Sequence, residues 1–324
     1  MNYEYSLHYA DENYQSVLLS AIENASERVL LETMNLDHLG GMGEVLDATL
    51  TARKRGAEIL MVYDRYSYLS ILGSSGLRAL RTFHSRLNKL KLSGVDLQVV
   101  GRRQVNPFAG RHHAKAVVAD NTVFFAGGIN LSNSSFKTKD FMMEIESGDI
   151  ADLLYDELPA IAVDRAVDEV LYDDGTNRLL IDGGQPGKSL IYDTVCELAS
   201  KATKAWYVSK LAPDKHLRNL LEQIDSTYIH NLPATANLFD SVAIAIDQKK
   251  YPVKNSYSTD QELHAKFCVF QMPEGHLESV SGSHNFNSRG VAFGTQEMAL
   301  HTKDQRLAAD LLKFASQLSV DEAV

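Results

Sequence analysis

The sequence has only two cysteines, Cys196 and Cys268, both among apolar neighbours. That excludes a disulfide framework and makes both reduced core residues. No stretch approaches the ~18–20 uninterrupted apolar residues of a membrane span. The opening residues, MNYEYSLHYADENYQ, lack the basic head and apolar stretch of a signal peptide. A cytoplasmic protein is expected, at most peripheral at a membrane. An excess of basic residues is missing too: the formal net charge is −10. This disfavours a general nucleic-acid binder and simple adsorption to anionic lipid. His276, His284 and His301 show no metal-ligand spacing. Neither a metal nor a cofactor is expected.

What is present is a soluble globular composition, with 44% hydrophobic and 23% charged residues in 324. That length can hold a large core or two ordinary domains. Residues 28–34 (RVLLETM), 58–64 (EILMVYD) and 95–100 read as buried strands separated by helical patterns. The alternation predicts right-handed crossovers and mostly parallel pairing. A long helix is expected over 149–171, then a polar linker at 172–177. The pattern then restarts with strands at 178–182 and 205–210, a helix after Asp214, strands at 264–270, 278–283 and 297–302, and a closing helix. Residues 241–246 fit helix or strand equally. An internal duplication is therefore expected, with halves 1–173 and 174–324. The fold class is α/β: two pseudo-symmetric α/β/α halves with mixed, mostly parallel sheets.

The duplication gives weight to a short window in each half. In RHHAKAVVADNTVFFAGGIN, His113 and Lys115 lie two apart and so on one strand face, with Asp120, Gly127, Gly128 and Asn130 downstream. Taken alone, this window reads equally well as an ordinary strand edge. The second half contains LHAKFCVFQMPEGHLESVSGSHN, in which His264-Ala-Lys266 repeats His113-Ala-Lys115 and Gly282, Ser283 and Asn285 answer Gly127, Gly128 and Asn130. A base or nucleophile, a cation and an amide donor, each present twice, suit the oxyanions of a phosphate.

The paired windows resemble the phospholipase D superfamily, whose signature is His-x-Lys-x4-Asp followed by Gly-[Gly/Ser]-x-Asn, present twice. The first copy is complete, whereas the second has Gln271 where the aspartate stands and a longer loop before Gly282. GGIN, Asp140 and the run GSHNFNSRGVAFGTQE, with Arg289 and Glu297, are most similar to the cardiolipin synthase branch. The resemblance implies an active site at the interface of the halves. It also implies an enzyme that transfers or hydrolyses a glycerophospholipid phosphodiester without metal, the two lysines standing in for one. His113 would attack phosphorus and form a phosphohistidine, and His264 would serve as acid and then base. Lys115, Lys266, Asn130 and Asn285 would hold the non-bridging oxygens. Asp140 and Glu297 would orient the histidines, Ser283 would assist and Asp120 would brace its half. A nuclease or other phosphodiesterase of the same superfamily is the alternative, and an inactive scaffold a third. Arg102, Arg103 and Arg111 could steer an anionic substrate, though a solvated loop fits them equally. Both half-sites lie in one chain, so a monomer suffices for catalysis.

Overall fold

The computed structural model describes residues 4–101, 109–164, 167–235, 241 and 254–319. The first half contains β1 (Tyr5–Tyr9), α1 (Tyr14–Asn24), β2 (Arg28–Thr33), α2 (Gly40–Arg55), β3 (Glu58–Asp64), α3 (Tyr66–Leu92) and β4 (Asp96–Val100). It continues through β5 (Ala116–Ala119), β6 (Thr122–Phe125), β7 (Phe141–Glu146) and α4 (Gly148–Asp164). The second sheet and its helices are β8 (Glu169–Asp173), β9 (Asn177–Gly183), α5 (Leu190–Lys201), β10 (Lys204–Ser209), α6 (Lys215–Leu221) and β11 (Asp225–His230). They end with β12 (Phe267–Gln271), β13 (Leu277–Gly282), α7 (Ser288–Phe293), β14 (Gln296–Thr302) and α8 (Gln305–Leu318).

Each half forms a seven-stranded sheet, in the orders β1-β7-β6-β5-β2-β3-β4 and β11-β10-β12-β13-β14-β9-β8. Written in reverse, the second order repeats the first through five shared neighbours, with β8 added at one edge. The sheets are mixed, but the expectation of mostly parallel pairing does not hold. Only β2–β3, β3–β4 and β10–β11 pair in parallel among the described strands, and the other nine pairings are antiparallel. The reason is connection length. Helical crossovers join the parallel strands, whereas β5 and β6 are separated only by Asp120 and Asn121, and so tight a turn forces antiparallel pairing.

A second correction concerns residues 149–171. The helix stops at Asp164, and Glu169–Asp173 pairs with β9 as an edge strand of the second sheet. Residues 172–177 are thus a hairpin turn within that sheet, tied by Asp174, whose carboxylate accepts from the Thr176 and Asn177 amides at 2.9 and 2.7 Å. β8, which a boundary after 173 would leave in the first half, pairs in the second. Of residues 241–246, all but 241 lie outside the described residues.

Three apolar clusters follow from this layering. One lies under α1, α2 and α3, another under α5 and α6. The central cluster joins both sheets through α4 (Ile150, Leu154, Leu158) and α8 (Leu307, Leu311, Phe314). The two halves therefore share one buried core and cannot turn freely about each other.

Candidate active site

The motif histidines stand just before β5 and β12, in extended segments that belong to neither sheet ladder. Their main chain must therefore find partners elsewhere. Both segments solve this in the same way. The Asp64 carboxylate, at the end of β3, accepts from the His112 amide at 2.7 Å. The Asn231 amide oxygen, just after β11, accepts from the Leu263 amide at 2.7 Å. The next amide is met by the opposite half: His113 N–H donates to the Gln296 carbonyl at 2.8 Å, and His264 N–H to the Lys139 carbonyl at 2.9 Å. Each histidine is thus held between a side chain of its own half and the main chain of the other.

The carboxylates cross in the same sense. His113 Nδ1 lies 2.7 Å from Glu297 Oε2, and His264 Nδ1 lies 2.7 Å from Asp140 Oδ2. Asp140 belongs to the first half and Glu297 to the second, so neither half completes a dyad alone. A ring that donates from Nδ1 to a carboxylate leaves Nε2 unprotonated, the form that can attack or accept a proton. All four groups are buried. Burial lowers His113 to about 4 against the pull of Glu297, and lowers His264 well below its ordinary value with Lys266 adding to it. Burial raises Asp140 to about 6, although Lys266 opposes it. Burial would raise Glu297 also, but the charge and hydrogen bond of His113 hold it at about 2. At neutral pH both rings are neutral and both carboxyls ionised.

The glycines have steric reasons. A Cβ on Gly127 would sit 1.7 Å from the Phe141 carbonyl oxygen, and one on Gly282 would sit 2.3 Å from that of Met298. At the next position the halves differ. A Cβ on Gly128 would meet Asp140 Oδ2 at 2.7 Å and Lys266 Nζ at 2.9 Å, so only glycine lets the main chain donate to Asp140, which it does at 3.2 Å. At the matching place Ser283 donates its hydroxyl to Glu297 and accepts from the Met298 amide. One half supports its carboxylate with a main-chain amide and the other with a hydroxyl.

Lys115 and Lys266 are almost fully buried, and each ammonium donates back to the carbonyl of its own motif histidine. Burial lowers them to about 7 and about 8, against the attraction of Glu297 and Asp140 respectively. An arriving phosphate would offset that burial. The Asn130 side-chain oxygen accepts from Thr33 Oγ1 and the Asn35 amide, both at 3.3 Å, which turns its NH₂ group the other way. Asn285 has a buried side-chain oxygen without a partner among the described residues. Two cations and two amides thus accompany two neutral rings, a set able to hold phosphate oxygens while a ring attacks phosphorus.

Asp120 lies away from this centre. Its carboxylate accepts from the amides of Ser26, Glu27 and Arg28 at 2.9, 2.8 and 3.0 Å and so fixes the start of β2. Gln271 cannot do this with its side chain, but its carbonyl takes the Thr203 amide at 2.8 Å, so one of the matching contacts persists. Arg111 is not a steering residue: it is buried and paired with Asp64 at 2.9 Å. Arg102 and Arg103 lie outside the described residues. His112 is buried against Glu32 at 2.7 Å. Asp64 and Asn231 were missed from sequence. Their signal, visible only once the halves are aligned, is that they fall at matching places, at the end of β3 and just after β11. Among the described residues no cluster of three or more His, Cys, Asp or Glu could hold a metal ion.

Residues 18–161 match a family model described as the PLD-like domain of cardiolipin synthase. No curated protein matches the sequence. Among solved structures, phosphatidylserine synthase of Haemophilus influenzae superposes with a TM-score of 0.75 at 13% identity, over 98% of this chain and 86% of that one. Polyphosphate kinase of Porphyromonas gingivalis gives 0.64 at 12% identity, over 97% of this chain and 47% of that one. Nuc of Salmonella typhimurium, a phospholipase D family member, gives 0.39 at 19% identity over 49% of this chain and 93% of its own. The first half thus matches a cardiolipin synthase PLD-like domain model, and the whole chain shares the two-half fold of the phosphatidylserine synthase structure.

Proposed function

We propose that the protein transfers or hydrolyses a glycerophospholipid phosphodiester through a phosphohistidine, without metal. The observation that carries this reading is the pair of crossed histidine–carboxylate dyads, with Lys115 and Lys266 beside them. His113 Nε2 attacks phosphorus, the P–O bond to the leaving alcohol breaks, and His264 supplies that oxygen's proton. His264 must therefore gain a proton before that step, and the incoming phosphate charge favours it. In the second step His264 takes the proton of an incoming alcohol or water, whose oxygen displaces His113 from phosphorus. Lys115, Lys266, Asn130 and Asn285 hold the non-bridging oxygens, which carry the charge in both transition states. Glu297 and Asp140 fix the ring tautomers, and Ser283 steadies Glu297. Both half-sites come from one chain, so a monomer suffices.

The lipid class rests on the match of the first half to the cardiolipin synthase PLD-like domain, with the phosphatidylserine synthase fold in its support. The test is label transfer. Protein is mixed with phosphatidylglycerol or with single-stranded DNA, each carrying radiolabelled phosphorus, quenched in alkali and examined for protein-bound label. Label from the lipid, absent in His113→Ala, is expected. Label from DNA alone would make the protein a nuclease, and label from neither would leave the scaffold reading.

A further inference from the structure

Acids outnumber Lys and Arg by 42 to 32 in the chain, yet residues 65–94 contain Arg65, Arg78, Arg81, Arg86, Lys89 and Lys91 and not one Asp or Glu. This stretch is α3 with its flanks. Its inner face is ordinary, with Ile71, Phe83, Leu87 and Leu90 buried on the sheet. Its outer face is not. Leu69, Leu72 and Leu77 are 50%, 41% and 65% exposed, close together in sequence and followed by exposed Arg78 and Arg81. Single exposed leucines need no explanation, but three beside cations on an acid-free helix do. Between Leu72 and Leu77 the helix breaks at Gly76, with φ 77° and ψ −177°. A Cβ there would meet nothing, so the backbone angle and not space calls for glycine.

The position of this stretch relates it to the active site. α3 begins directly after Asp64, which pins His112. Ser67, in its first turn, donates to the Met34 carbonyl at 3.2 Å and accepts from the Leu36 amide at 2.9 Å. Between those two residues, the Asn35 amide donates to Asn130. The helix that carries the leucines is therefore tied at its first turn to the short connection that fixes an active-site amide.

We infer that the kinked N-terminal stretch of α3, residues 65–81, docks on a bilayer containing anionic phospholipid. The leucines enter the acyl boundary and Arg78 and Arg81 meet the headgroup phosphates, as in other basic amphipathic helices. The overall charge of −10 repels such a surface, so the attraction is local and the protein binds in one orientation, with α3 toward the headgroups. A nucleic acid would use the cations but leave the leucines in water. It would also want exposed rings to stack on, and Tyr68 is instead stacked on His84 at 5.0 Å.

The inference does not depend on the chemistry at the site. The full chain, and separately its His113→Ala form, is sedimented with vesicles of phosphatidylcholine with or without phosphatidylglycerol. Both forms should bind the anionic vesicles and bind less in added salt. R78E/R81E should weaken binding about tenfold or more, and L69S/L72S/L77S should weaken it also, while K201E on the other half should not. Circular dichroism checks that each variant is folded. Absence of binding to anionic vesicles, or equal binding by the folded α3 variants, would overturn the inference. So would binding of single-stranded DNA with the same α3 dependence and no vesicle binding.

Discussion

Replacing Glu297 by Gln keeps the volume of the side chain and removes its charge. The carboxyl is buried, 2.7 Å from His113 Nδ1, and held at about 2 against an ordinary 4.5. Ser283 and His113 Nδ1 both donate to Glu297 Oε2, so in the variant one amide oxygen keeps both bonds and the tautomer, and what is lost is the negative charge beside the positive ring that forms as Nε2 attacks. Formation of the phosphohistidine should therefore slow by about 10² or more. Asp140→Asn acts differently: the Gly128 and Phe141 amides hold Oδ1, which turns the amide NH₂ toward His264 Nδ1 and moves that ring's proton to Nε2, where it can no longer accept one. With bis(p-nitrophenyl) phosphate the leaving nitrophenolate needs no acid, so this variant should still form the intermediate and fail to resolve it. Rapid-quench measurement of nitrophenol then separates the two: no burst in Glu297→Gln, and a burst followed by a stall in Asp140→Asn. The reverse pattern would make His264 the nucleophile. Normal turnover in both would refute the claim that the crossed carboxylates govern the two rings.

The profile of kcat/KM against pH should be a bell with limbs set by the free enzyme. Burial raises Asp140 to about 6, so below that pH it is protonated and stops accepting from His264; burial lowers Lys115 to about 7, so its charge is lost as pH rises through that value. The acid limb should vanish in Asp140→Asn, and an unchanged limb would count against the assignment. Gly128→Ser puts an atom within 3 Å of Asp140 and Lys266 and should cost at least about 10² in kcat, whereas Ser283→Gly removes the hydroxyl that bonds Glu297 and the Met298 amide and should cost about tenfold. Equal effects would show that the difference between the halves is incidental. Asn231→Ala leaves the Leu263 amide buried without an acceptor and should lower kcat about 10² with KM little changed. Asn231→Asp would set a carboxylate oxygen against the Leu263 carbonyl, which the Asn231 amide now meets at 2.7 Å, so it should not rescue, and unchanged kcat in the folded Ala variant would refute the acceptor role.

The paired windows were legible because His-Ala-Lys repeats letter for letter, and repetition does not depend on secondary-structure propensity. The gross architecture was legible for the same reason. The sense of strand pairing was not. Hydrophobic runs such as Val117–Ala119 are equally apolar in parallel and antiparallel sheets when both faces are covered, and only the length of the next connection decides. The end of α4 was missed because Val167, Val170 and Leu171 continue a plausible helical stripe, whereas the open edge of β9 draws Glu169–Asp173 into pairing. Asp64 was visible only as the last residue of an apolar strand. Nothing local distinguishes it from a turn residue, because its partner amide lies far along the chain at His112.

Aligning the halves through their strand registers shows what each half-site holds constant. Asp64 corresponds to Asn231, His112 to Leu263, and Glu32 to Val208. The first half surrounds its motif with buried charges: Asp64 with Arg111, and Glu32 with His112. The second puts a neutral amide and two aliphatic side chains in three of these places and keeps a charge only in the fourth, where Glu262 replaces Arg111 and pairs with Lys210 at 2.9 Å. Replacing buried ion pairs by apolar groups of similar shape is often neutral for stability, which explains how the copies could diverge there. What did not diverge is an oxygen placed 2.7 Å from the amide before each histidine, and a carboxylate of the opposite half placed 2.7 Å from each ring. Charge near the motif is therefore free to vary while acceptor position is not. The constraint is geometric, and in the proposed mechanism it falls on the two Nε2 atoms, one in each half, that share a phosphorus.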